Sequence, residues 1–227
     1  MKRFYKTVTV EHGAILLDGR AMRTPAGATL VIPAPALAEA VAEEWRAQGE
    51  TIDLGTLPLT SLANAAVDRA APDPAAFAAP IAAYAETDLL CYRADAPAEL
   101  KAAQSAAWEP LLDWARSRYD VHFAVTSGVL HIAQPSATIA RLREALIARG
   151  PFALAPMAPL VTISGSLIVS LMLAERAIGA RDAFDATHLD ELWQAEKWGE
   201  DEWGLQAREA RRAEFMAAAR FLDFLDR

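Results

Sequence analysis

Thr7-Val8-Thr9-Val10-Glu11-His12-Gly13-Ala14-Ile15-Leu16-Leu17-Asp18-Gly19-Arg20 decides how the chain begins to fold. Thr7 to Glu11 alternates as a half-buried strand does, and His12-Gly13 turns the chain into a second apolar stretch. Asp18-Gly19 is a strong hairpin signal, because a tight primed turn needs φ > 0 at both central positions. Ala26-Gly27-Ala28 leads into a further short strand, Thr29 to Ile32, and Pro33 and Pro35 close the β-rich part.

Downstream the period changes from two to three and four. Between Ala36 and Gln48 the apolar Leu37, Val41, Ala42 and Trp45 form one helical stripe, with Glu39, Glu43, Glu44 and Arg46 outside it. A second, alanine-rich helix is expected over Leu59 to Ala70. Pro72-Asp73-Pro74 follows, and neither proline suits a helix interior, so the domain boundary is placed there. The sequence predicts an α+β protein: a small β-rich N-terminal domain, 1–72, and a larger, mainly α-helical C-terminal domain, 73–227. In the latter, helices are expected over Ala75–Thr87, Ala98–Tyr119, Ser136–Arg149 with Ser136 as the cap, Asp182–Lys197 and Leu205–Leu225. The alternating Val121-His122-Phe123-Ala124-Val125 interrupts them.

Met157 to Ala174 holds no charged residue, but Pro159 and several serines break it up, so it reads as a buried helix and not as a membrane span. A formal charge of −8 argues against a general nucleic-acid binder, which needs a cationic surface. The single cysteine, Cys91, excludes an internal disulfide and reads as a small buried hydrophobe. The basic start, Met1 to Lys6, is followed by no apolar signal core, which suggests a bacterial cytoplasm.

Catalytic signals are thin. No Gly-rich phosphate loop and no Gly-x-Ser-x-Gly elbow occurs. His188 lies one helical turn from Glu191, with Asp185 nearby; this supports only an alternative reading, a small-molecule hydrolase or lyase using His188 and those carboxylates. No cofactor or metal is implied.

Trp193-Gln194-Ala195-Glu196-Lys197-Trp198-Gly199-Glu200-Asp201-Glu202-Trp203 stands apart: it gathers three of the six tryptophans and four carboxylates around one glycine. Tryptophans recur as anchors of protein interfaces, whereas acids resist full burial. The residues alone leave this segment divided between an interaction surface and a fold-stabilising corner.

Several separated stretches carry a resemblance. They are Arg3-Phe4-Tyr5-Lys6, Leu17-Asp18-Gly19-Arg20, Arg23-Thr24-Pro25, Ala42 to Gln48, Leu57-Pro58-Leu59-Thr60 and Thr87 to Arg93, then Gln104, Trp108-Glu109-Pro110-Leu111, Gly165-Ser166-Leu167 and Gln194 to Asp201. Taken in order, they resemble the α-subunit-specific assembly chaperones of the F-type ATP synthase, as found in mitochondria and α-proteobacteria. The resemblance implies a non-catalytic monomer that holds the free α subunit, prevents its aggregation and hands it to the catalytic head. It implies partner contact at Gln194, Trp198, Gly199, Glu200 and Asp201, and a structural or interface role for Glu44 and Trp45. The mitochondrial relatives continue differently after the glutamate, so the resemblance bears less on Asp201 to Gly204.

Overall fold

In the computed structural model, which describes residues 1–225, β1 (Val8–Glu11), β2 (Ala14–Leu17) and β3 (Arg20–Ala21) form an antiparallel meander. The β1–β2 register pairs Val8 with Leu17 and Glu11 with Ala14. Both two-residue turns take positive φ throughout, at His12 (51°) and Gly13 (81°) and at Asp18 (48°) and Gly19 (76°). Gly13 is doubly constrained: a Cβ there would stand 2.4 Å from the Ile32 carbonyl oxygen. That close approach is used, since the Ile32 amide donates to the Gly13 carbonyl at 2.8 Å. The Thr29–Ile32 segment, expected as a strand, makes only isolated bridges, Thr29 to Arg23 and Val31 to Ala14. It bonds to β3's continuation through Met22 and then to the β1–β2 turn, so no continuous ladder forms.

The strands bury Ile15 and Leu17 against α1 (Pro35–Arg46), which presents Leu37, Ala38, Val41, Ala42 and Trp45 to the core. Proline opens α1 at its first turn, where a missing N–H costs nothing. α2 (Pro58–Ala65) runs on through one π turn, Ala66–Ala70, within the span the sequence predicts as one helix. By packing, the first compact unit takes in residues 1–77, 150–156 and the final helix from Ala217 onward, whereas the boundary expected at 72/73 follows the sequence. The distant segments join this core through aromatic packing, with Phe152 and Phe221 stacked at 6.5 Å.

The second unit comprises residues 78–149 and 157–216. α3 (Pro74–Ala82) leads into it through a 3-10 turn. α4 (Ala98–Tyr119) spans the predicted helix and ends on Asp120 in the left-handed region. The stretch after it contributes β5 (Thr126–Ser127), which pairs in parallel with β4 (Tyr92–Arg93). α5 (Ser136–Ile147) follows, but its cap is Pro135, and Ser136 makes no capping bond.

The uncharged stretch from Met157 divides at Gly165, with φ +67°, into α6 (Pro151–Ser164) and α7 (Leu167–Ala174), the latter buried from Leu167 to Leu173. Among the described residues no helix is long and apolar enough to cross a membrane. The single helix expected over 182–197 is likewise two, α8 (Ala180–Thr187) and α9 (Leu189–Trp198), and α10 (Glu202–Leu225) closes the chain.

Candidate functional site

α4 sets the position of the Trp-rich corner. The Trp108 indole N–H donates to the Ala186 carbonyl at 2.7 Å, fixing the end of α8. Gln104 accepts from the Ala94 amide at 2.6 Å and donates to Asp190 at 2.8 Å, which ties down the first turn of α9. His188, at the joint, is 5 % exposed and stacks on Phe184 at 3.8 Å. Its Nδ1 lies 2.9 Å from the Phe184 carbonyl, which can only accept. Burial, the larger cause, lowers the imidazole pKa.

α9 itself has no fully buried residue. Two ion pairs tie α9 and the residues just after it to α10. Arg211 grips Glu191 at 2.9 and 2.6 Å, and Arg208 grips Glu200 with both of its terminal nitrogens. The second pair is the better shielded, with 11 % of the Arg208 side chain and 24 % of that of Glu200 accessible. Arg208 and Arg211 lie on α10, remote in sequence from their partners, and no local spacing announces either pair.

Gly199 makes the corner. Its φ of +80° and ψ of 172° end α9 in a backbone conformation that L side chains avoid, although a Cβ there would meet nothing within 4 Å. Asp201 then begins α10: its Oδ1 accepts the Gly204 amide at 2.7 Å, capping one of the free N–H groups of the first turn.

The result is a shallow open groove of about 390 Å3 between α9 and α10. Gln194, Trp198, Glu200, Asp201, Arg208 and Arg211 line it. Trp198 packs edge-on against Trp193 at 5.5 Å yet remains 74 % exposed, and Trp203 is 82 % exposed. The fold therefore brings Gln194, Trp198, Gly199, Glu200 and Asp201 together at one surface.

Glu44 and Trp45 lie elsewhere, in the first unit. Glu44 was expected on the outer face of its helix; instead it turns in to cap α2. It accepts the Leu59 and Thr60 amides at 2.7 and 2.8 Å and the Thr60 hydroxyl at 2.7 Å. Burial outweighs these donors and raises its pKa. The Trp45 indole donates to the Thr60 hydroxyl at 3.0 Å, and its carbonyl accepts the Tyr5 hydroxyl at 2.7 Å. Trp45→Phe is expected to cost about 1–2 kcal/mol by deleting that buried donor. Urea denaturation should show a lower midpoint at unchanged slope.

A family model described as ATP12 chaperone protein matches residues 2–116, about half of the chain. The chain belongs to the ATP12 family. Among ATP12 relatives, the mitochondrial protein atp12 of Schizosaccharomyces pombe is 26 % identical over 214 residues, covering 87 % of this chain and 74 % of its own. The crystal structure of Atp12 from Paracoccus denitrificans superposes with a TM-score of 0.92 at 39 % identity, covering 99 % of this chain and 98 % of that one. A putative chaperone from Agrobacterium tumefaciens gives 0.93 at 41 % identity, covering 99 % of this chain and 86 % of that one. ATP12 proteins are chaperones, not enzymes, and the family has both mitochondrial and bacterial relatives.

The hydrolase alternative needed an accessible His188, and His188 is buried with Nδ1 committed to a carbonyl. Glu191, the carboxylate one helical turn from it, is engaged by Arg211. Among the described residues no three His, Cys, Asp or Glu side chains gather as metal ligands. Cys91 is buried, and burial pushes its thiol up to about 12, far from a thiolate at neutral pH.

Proposed function

We propose that this ATP12 protein acts in assembly of the F-type ATP synthase, as a monomer in the bacterial cytoplasm, by holding the free α subunit through the corner between α9 and α10. The observation that carries the reading is the pair of exposed indoles, Trp198 and Trp203, set among Glu200, Asp201 and Glu202 in a chain of this chaperone family. The choice of α as client comes from the sequence resemblance.

A free subunit exposes an interface that its neighbour later covers, and such patches aggregate. A temporary cover must grip and then let go, so it favours a few aromatic anchors inside a polar rim over a broad apolar face. Carboxylates around the anchors speed encounter with a basic client surface and add specificity.

The deciding experiment is a pull-down with purified α and β subunits, paired with light scattering of each subunit during refolding. Selective retention and protection of α is the expected result; retention of neither subunit, or of both equally, overturns the proposal. Trp198→Ala is expected to weaken α binding by about 30-fold, the loss of one interface anchor worth about 2 kcal/mol. Its thermal midpoint should not move, because the ring is largely in solvent.

A further inference from the structure

The first unit carries a second concave surface of opposite charge. Three stretches singled out in the sequence, Arg3 to Lys6, Leu17 to Arg20 and Arg23 to Pro25, contribute to it together with α1. It is a pocket of about 530 Å3 floored by Leu17, Met22 and Trp45, each with only 8 % of its surface exposed. Phe4 stands at the pocket and is 64 % exposed, an aromatic ring left in water at the mouth of an apolar depression.

The rim is cationic. The Arg20 side chain makes no hydrogen bond or ion pair among the described residues, and Arg23 spends one nitrogen on the Gly27 carbonyl at 2.8 Å. Asp18, the one acid lining the pocket, is turned away from this role. Its carboxylate accepts the Lys6 amide at 3.0 Å, the Thr7 amide at 2.8 Å and the Thr7 hydroxyl at 2.9 Å. The pocket thus offers two guanidinium groups over an apolar floor in a chain of net charge −8.

We infer that this pocket binds an acidic polypeptide segment of the client, seating one large apolar side chain on Trp45 and Met22 while Arg20 and Arg23 take neighbouring carboxylates. Guanidinium groups bind carboxylates through paired, charge-assisted hydrogen bonds. The volume is within the range of sites that accept a drug-sized group, enough for one aromatic side chain and its flanking backbone. A nucleic-acid ligand does not fit, because two arginines neutralise too few phosphates against the chain's own negative charge.

The identity of the client rests on the chaperone reading above, but the pocket's chemistry is testable without the client. The probe is a short fluorescein-labelled peptide with one central phenylalanine flanked by glutamates, followed by anisotropy. Two control peptides replace the glutamates by lysines or the phenylalanine by alanine. Saturable binding of the acidic peptide alone is expected, with Arg20→Glu and Phe4→Ala each weakening it by about tenfold, or about 1.4 kcal/mol. Both substitutions are at exposed side chains, and circular dichroism checks that the fold is kept.

Equal binding of the lysine peptide, absence of saturable binding, or less than a twofold effect of both substitutions overturns the inference. If the peptide fails while α is retained in the pull-down, the pocket proposal falls and the chaperone reading stands. If the peptide binds while α is not retained, the pocket's ligand chemistry holds and the choice of client falls.

Discussion

Glu200→Lys is expected to reduce retention of the α subunit to background while shifting the thermal midpoint by no more than about 4 °C. The small stability effect follows from where the side chain lies. Its pair with Arg208 sits at the surface, with the carboxylate about a quarter accessible, so solvent screens much of the attraction. The large binding effect follows from charge. The introduced lysine would join Arg208 and Arg211 at one groove, turning an acidic rim around Trp198 cationic and repelling a basic client face. A second substitution separates the two ways in which Glu200 could act. Arg208→Glu in the same chain restores an ion pair of reversed polarity and so restores the hold on the corner. If Glu200 meets the client directly, the double variant stays at background, which is the expected outcome. Recovery in the double variant would make Glu200 a positioning residue, and wild-type retention by the single variant would remove this corner from client contact.

The parts of this molecule legible in the sequence are those decided locally. Asp18-Gly19 and His12-Gly13 specify their turns through φ, and α4 announces itself by the spacing of Trp108, Leu111, Leu112 and Ala115. Breaks inside apolar stretches were harder to see. The run from Met157 has no charge to mark its middle, yet Gly165 ends one helix there and Ser166 caps the next by accepting the Val169 amide. The joint at His188 is similarly hidden, because it depends on packing against Phe184 and on Trp108 reaching the Ala186 carbonyl from α4. At the candidate site the tryptophans and acids stand out by composition, but the arginines that hold them do not. Arg208 and Arg211 find Glu200 and Glu191 only once α10 lies beside α9. Glu44 shows the same limit in the first unit: helical periodicity puts it outside, while the first-turn amides of α2, which have no partner within the helix, draw it in.

Asp88→Asn is expected to destabilise the protein by about 2–4 kcal/mol, since one or two buried donors lose their acceptor. Asp88 is fully buried, and it joins two stretches 80 residues apart in the chain. One oxygen accepts the Leu90 amide at 3.1 Å, and the other accepts the Ile168 amide at 3.0 Å in the first turn of α7. Every residue of α7 from Leu167 to Leu173 is buried, so those first-turn amides have no water to turn to. Asparagine keeps one acceptor oxygen and aims an N–H donor at the other amide. The pH dependence carries a further signature. Burial, the largest influence, outweighs the donated hydrogen bonds and raises the carboxyl from 3.8 to about 6. A carboxyl raised on folding binds its proton more tightly in the native state, so its contribution is greatest at low pH and is lost as pH rises through about 6. Between those limits the slope approaches about 1.4 kcal/mol per pH unit, and asparagine has none. Denaturant titrations at pH 5 and pH 7.5 should therefore find the gap between wild type and Asp88→Asn wider at the lower pH. A gap that narrows there would mean the hydrogen bonds donated to Asp88, and not its burial, set its charge.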